Sequence, residues 1–251
     1  MWFLFGIQLF LVLLFLIMGW ALRKKKAYWL LSGFATRPKE EQQQLIENGY
    51  LQKTGALLLL TGTGLLLLLP LTFTSFKYSI EIQFGFMLVF LLGGLIYLSK
   101  YEVEKKRKRS YIISSTLFVV VNSFVVVLMF FGYQDYDLIT QKDSFEITGI
   151  YGDEWKINDI QKIEMLEKMP EVTWKQNGCG LSTMDKGYFK VKGYGSSLLF
   201  IQKGSSPILY IELKNKKIFI NSASSDNTQK WYDEITAKFN QHNKENSPAT
   251  L

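Results

Sequence analysis

Lys100 to Ser110 reads K-Y-E-V-E-K-K-R-K-R-S, and long apolar runs flank it on both sides, Ile82 to Ser99 before and Tyr111 to Phe131 after. Two further runs lie upstream, Trp2 to Leu22 and Thr54 to Phe73. About 20 apolar residues cross the hydrocarbon core of a bilayer as a helix. The sequence therefore predicts four transmembrane helices, at about 2–22, 54–73, 82–99 and 111–131. The fourth run is rich in Val, which in water would read as paired strands. At about 21 apolar residues directly after a basic cluster, it reads instead as a helix in lipid.

Charge then orients these helices. Residues 1–132 hold 14 Lys and Arg, of which seven lie in 23–53, six in 100–109 and one, Lys77, between the second and third spans. Helices of alternating direction place both basic segments on one face, a split of 13 to 1. Basic loops stay cytoplasmic. Arg23, Lys24, Lys25 and Lys26, with Lys105, Lys106, Arg107, Lys108 and Arg109, are thus expected to act as topology anchors. Both termini, and everything after the fourth span, are expected on the extracytoplasmic side of the cell membrane. The first run has no basic residues before it and is too long for a signal peptide, so it reads as a retained helix.

The overall charge of +7 has the same origin. Residues 133–251 carry 15 Lys, no Arg and 16 Asp and Glu, a net of −1. The excess sits beside apolar runs, which points to a lipid bilayer rather than nucleic acid as partner. No Asp, Glu, Lys, Arg or His lies within a span, which speaks against an ion or proton pathway. Thr61-Gly62-Thr63-Gly64 and Gly93-Gly94 are expected to let helices approach closely. Asn122 is expected to make an interhelical hydrogen bond. Between the first two spans, Pro38 and Gly49 bracket a short helix, and Glu40 to Gln44 reads as its solvated face.

The one cysteine, Cys179, permits no internal disulfide, and the one histidine, His242, removes His-based triads and His/Cys metal clusters within a single chain. No cofactor, metal or catalytic residue is expected, and the chain is not expected to be an enzyme.

Residues 133–241 read as about seven or eight short strands and one helix. Strand-like runs include Tyr136 to Thr140, Phe145 to Tyr151, Val172 to Lys175, Tyr188 to Lys192, Leu198 to Gln202 and Ile208 to Leu213. Gly193-Tyr194-Gly195 reads as a hairpin turn and Gln176 to Gly187 as a long loop. In the final helix Trp231, Ile235 and Phe239 recur on one face, with Asp226 and Gln229 as a capping pair. Residues 242–251 read as a disordered tail. The expected fold is a membrane all-α half followed by a β-rich split barrel with a C-terminal helix.

Two resemblances rest on particular residues. R-K-K-K at 23–26, Y-W-L-L-S-G-F at 28–34 and R-P-K-E-E at 37–41, set between two spans, resemble a DUF3784-type domain of unknown function from Gram-positive membrane proteins. Pro38 departs from the Ser usual there. W-K-I-N-D-I at 155–160, N-G-C-G-L at 177–181, G-Y-F-K-V-K-G-Y-G at 187–195, P-I-L-Y-I at 207–211 and W-Y-D-E-I at 231–235 are similar to bacterial pleckstrin-homology (PH)-like domains. That likeness implies a seven-stranded split barrel with a C-terminal helix and no catalytic residues.

The expected function is display of a non-catalytic binding or assembly module, for a protein, a peptide or a second copy of the chain. Envelope stress sensing and immunity to a secreted peptide are conceivable uses. The alternatives are a structural subunit of a membrane complex, or a membrane enzyme or transporter. Asn177, Gly178, Cys179, Gly180, Asp185 and Lys186 form the candidate partner-contact loop, whose plain alternative is a flexible connection. Cys179 lacks a basic or histidine neighbour in sequence and reads as an unreactive thiol. Lys190 and Lys192 resemble the start of a phosphoinositide-binding strand, but no Arg follows.

Overall fold

The computed structural model describes residues 2–74 and 76–246, with side chains for 4–74 and 76–244. The chain divides into two compact units, 1–126 and 127–251.

In the first unit the apolar runs form α1 (Trp2–Lys24), α3 (Tyr50–Leu68, continued by a 3-10 turn Leu69–Phe73), α4 (Ser79–Leu98) and α5 (Glu104–Tyr133), the last crossing the division between units. All four are long and apolar enough to span a membrane. A bilayer offers no water to the backbone, so each helix must satisfy its own groups. Polar side chains do the same: Thr54 donates to Tyr50 O, Thr61 to Leu57 O and Asn122 to Phe118 O, at 2.8–2.9 Å. Asn122 thus bonds within its own helix, not across to a neighbour as expected. A carbonyl one turn back is always within reach, whatever surrounds the helix.

Small residues set the helix packing. A Cβ on Gly19 would lie 2.8 Å from Gly55 O, and one on Gly55 would lie 3.0 Å from Gly19 O, so α1 and α3 touch backbone to backbone. Gly62 receives Leu16 of α1, Gly64 receives Phe86 of α4, and Gly94 receives Leu57 of α3. Both expected notches therefore lie at helix contacts. The apolar window of α5 is unburied within the chain.

A short helix, α2 (Lys39–Glu47), lies between the first two spans. Pro38 stands at its N-cap, and Gly49, at φ +76°, ends it in the left-handed conformation. This segment is clasped to the α4–α5 turn. Arg37 Nη1 and Nη2 donate to the two Glu102 carboxylate oxygens at 2.6 and 3.0 Å. The Val103 N–H donates to Glu102 Oε1 at 2.9 Å, and Asn48 Nδ2 donates to Tyr101 O at 3.3 Å. Lys106 Nζ reaches the Glu41 carboxylate at 2.7 Å. Glu41 is thus an ion-pair partner, not part of a solvated face.

In the second unit β1 (Leu138–Thr140), β2 (Ser144–Ile147) and β3 (Asp153–Lys156) form an antiparallel sheet. Strands β4 (Ile160–Leu166), β5 (Val172–Gly180), β6 (Met184–Val191), β7 (Gly195–Gln202), β8 (Ile208–Leu213) and β9 (Lys217–Ile220) form a second, ordered β4-β8-β9-β7-β6-β5. Every pairing in it is antiparallel except β7 with β9. Among the described residues nine strands thus stand where seven or eight were expected, and the larger sheet is mixed.

The centre of the larger sheet is buried on both faces, which is why β7 to β9 read as continuous apolar runs. On one face Phe200, Leu209, Ile211 and Ile218 meet Phe145 and Ile147 of the smaller sheet and Trp231 and Ile235 of α6 (Ser225–Asn246). On the other, Tyr194 meets Tyr210 and Phe219 edge to face and these two rings tilt against each other, with centroids 4.8–5.0 Å apart. Buried Asn221 accepts from the Gln202 N–H and donates to Gln202 O and Ser205 O, pinning the β7–β8 connection.

The apolar face of α6 falls as expected, but its start and end differ. Asp226 lies inside the first turn, where a negative charge suits the helix dipole. Gln229 donates to Asp233 rather than closing a capping box. The helix continues to Asn246, so 242–246 are helical, not a disordered tail; 247–251 lie outside the described residues.

The clasp carries a pH-dependent prediction. Burial pushes the Glu102 carboxyl up, but hydrogen bonds from Arg37 and the Val103 N–H, with the charges of Arg37 and Lys106, hold it below the usual carboxylate range. A lowered folded pKa gives stability that is present above the unfolded value and lost as pH falls through the folded one. Thermal unfolding in detergent should show Arg37→Ala destabilised by roughly 3 kcal/mol, because it strands a buried carboxylate. The advantage of wild type over Glu102→Gln should be full at neutral pH and disappear in acid.

Candidate functional site

The six residues expected to form a contact loop are strand residues. Asn177 to Gly180 end β5, and Asp185 and Lys186 begin β6, with only residues 181–183 turning between them. Leu181 N donates to Met184 O at 2.8 Å to close the hairpin. Glycine was the misleading signal, because here it permits strand pairing instead of breaking it. Gly178 and Gly187 are cross-strand partners. A Cβ on Gly178 would lie 2.5 Å from Lys186 O. Gly187, at φ +106°, would meet Asn177 O and Gly178 Cα at 2.6 Å and the Tyr151 ring at 3.1 Å. The two glycines let the strands close under Tyr151.

The side chains of the hairpin point different ways. Cys179 faces inward: a Cβ on Gly132 would lie 3.0 Å from its Sγ and 2.9 Å from Leu181 Cδ1. Lys186 is 2 % exposed. Its ammonium donates to Gln134 O and lies over the Tyr136 ring, 5.1 Å from the centroid. Burial lowers its pKa, and the charges of Asp135 and Cys179 offset this only in part. The hairpin is therefore fastened to residues 132–136, the segment that leaves the last membrane helix. Tyr136 extends that fastening, its hydroxyl donating to Asn221 O at 2.9 Å.

Asp185 sits 3.0 Å from Lys203 Nζ, yet burial outweighs that charge and pushes its carboxyl up. Among the six, Asn177 is exposed to solvent and Gly180 lies at the hairpin end.

The strand expected at Val172 to Lys175 runs on to Gly180 and includes Asn177. β5 is an edge of the six-stranded sheet, paired only with β6. Every residue from Val172 to Asn177 is exposed, and Trp174 is 70 % exposed. Register shifts at Val172/Trp174 and Lys175/Asn177 place Thr173 and Gln176 as bulges. Each is tied down, Thr173 donating to Lys190 O and Gln176 accepting from Ser196 Oγ. Bulges twist an edge away from indiscriminate pairing. The run Asn177–Gly180 is unbulged. An edge with one large exposed aromatic beside a short regular run can accept an extended segment. The V-T-W-K run carries the β-branched and aromatic signal for a strand; the glycines after it obscured the strand's length.

The other sequence candidates lie elsewhere. Arg23 and Lys24 close α1, Lys25 and Lys26 follow it, and Lys105 to Arg109 open α5. Cations at a helix N-terminus oppose the helix dipole, so helix stability does not explain the second cluster. Lys192 is paired with Glu171 at 2.9 Å. Gly193 and Gly195 form the expected β6–β7 turn, both at positive φ. Among the described residues, no group of three His, Cys, Asp or Glu is placed to hold a metal ion.

Crowding at Gly187 can be separated from its backbone requirement. Gly193 also has positive φ (+82°), but a Cβ there meets nothing within 4 Å. Gly193→Ala should cost about 1 kcal/mol, the ordinary left-handed penalty. Gly187→Ala should cost roughly 3 kcal/mol or more, since strain and overpacking add. Thermal unfolding of the two full-length variants makes the comparison.

Comparison with protein families gives two matches, residues 9–102 to a domain of unknown function (DUF3784) and residues 136–238 to a bacterial PH domain. No curated protein and no solved structure matches. The chain is thus similar, in order, to a DUF3784 region and a bacterial PH domain, which agrees with the resemblances read from its sequence.

Proposed function

We propose that this is a non-catalytic integral membrane protein that displays its PH domain on the extracytoplasmic face of the cell membrane as a binding or assembly module. The partner is a protein or peptide that lays an extended segment along β5, with Trp174 as the anchor. The edge position and exposure of β5 carry this reading. Strand addition supplies backbone hydrogen bonds for affinity and side-chain contacts for specificity. A large exposed aromatic is the residue type that dominates such interfaces.

The basic clusters at 23–26 and 105–109 support the placement outside. Such a display suits envelope stress sensing or immunity to a secreted peptide. Because the hairpin is fastened to residues 132–136, an occupant of β5 would act directly on the segment entering the domain.

A photo-cross-linking amino acid at position 174, in full-length protein in living cells, tests the binding edge. Cross-links to a defined protein or peptide, or to a second copy, are expected. They should be lost when Gly180→Pro removes a backbone donor from the outer edge of β5, while a photoreactive residue at Lys230 on α6 should capture nothing specific. Equal capture from both positions would contradict a β5 site.

A further inference from the structure

A cavity of about 170 Å³ lies between α1, α3 and α4, lined by Leu4, Ile7, Leu11, Val12, Leu65, Ile80, Phe84 and Met87 with two amides, Gln8 and Gln83. Gln83 is only 5 % exposed. Its Nε2 donates to Leu68 O and to Thr72 Oγ1, both at 3.2 Å, and Thr72 Oγ1 donates to Gln8 Oε1 at 2.8 Å. This chain of bonds uses one end of each amide. Among the described residues nothing hydrogen-bonds the other ends, Gln83 Oε1 and Gln8 Nε2. The free acceptor of Gln83 and the free donor of Gln8, two lining amides joined through Thr72, are thus left in an otherwise apolar chamber within the membrane unit. Unpaired polar groups in hydrocarbon are costly, and intramembrane polar residues commonly mark a site.

The occupant follows from that chemistry. No ionisable side chain lines the cavity, so a charged headgroup would be uncompensated. A hydroxyl both donates and accepts, matching the two free ends. An apolar cavity of roughly 150 Å³ accepts a molecule the size of benzene, and whole drug-sized ligands need about 300 Å³ or more. The chamber therefore holds a head and its first carbons only. Its rim residues Leu4, Ile7, Ile80 and Phe84 are all exposed on α1 and α4, so the remaining chain can pass sideways into lipid. We propose that this cavity binds an uncharged, hydroxyl-headed hydrocarbon drawn from the bilayer, with Gln83 Oε1 accepting from and Gln8 Nε2 donating to its hydroxyl.

The probe is a dodecanol carrying a diazirine near the hydroxyl, applied to full-length protein in phosphatidylethanolamine–phosphatidylglycerol vesicles. Mass spectrometry should place the adduct on Leu65, Phe84 or Met87. Excess dodecanol should reduce labelling at least tenfold, and dodecane should not. Leu65→Trp, which fills the chamber, should abolish labelling, and Gln83→Leu should make dodecane compete as well as dodecanol. The wild-type competition decides the matter if either variant fails to fold. Equal competition by alcohol and alkane with wild type, or adducts no richer in the cavity than on Val119 and Phe124 of α5, would overturn the proposal.

Discussion

A polar group that enters hydrocarbon must bring its partner with it, and the first half of this chain is built around that constraint. Backbone groups are satisfied by forming helices. Thr54, Thr61 and Asn122 turn back onto their own helices. Gly19 and Gly55 bring α1 and α3 into backbone contact, where dispersion replaces the hydrophobic drive that lipid removes. Full charges are excluded from the spans and gathered at their ends. There Arg37 and Glu102 join two loops 65 residues apart in sequence into one structure.

Different physics governs the second half, where water is the solvent and a core must be buried. Two sheets and α6 enclose that core, and the β5–β6 hairpin lies at the edge of the larger sheet. Holding Lys186 there is expensive, because its ammonium is buried against one carbonyl and one ring. Its effect is to fix the hairpin to residues 132–136. One side of the hairpin is committed to that segment, and among the described residues the outer edge of β5 pairs with no other strand.

Much of this was legible in the sequence, for reasons that differ by element. The spans were readable because length and apolarity suffice, and the i, i+4, i+8 face of α6 because Trp231, Ile235 and Phe239 all pack against the core. The Arg37–Glu102 clasp was not, since nothing local links residues so far apart. β5 was cut short because Gly178, Gly180 and Gly187 look like loop residues; only the Gly178–Gly187 pairing shows that they serve a close approach. The end of α6 was underestimated because a polar run with His242 lacks a buried face yet still continues a helix. The cavity amides escaped notice because Gln8 and Gln83 lie 75 positions apart and meet only through Thr72.

The proposed orientation is the central claim, since it decides what the β5 edge can meet. Asn177 is exposed on that edge, and Cys179 is the chain's one native thiol. Asn177→Cys in a Cys179→Ala background should react with a membrane-impermeant maleimide on intact cells, to the same extent as after lysis. A cysteine at Lys105, in the basic turn, should react only after lysis. The opposite pattern, with position 105 labelled from outside and position 177 protected, would contradict an extracytoplasmic PH domain.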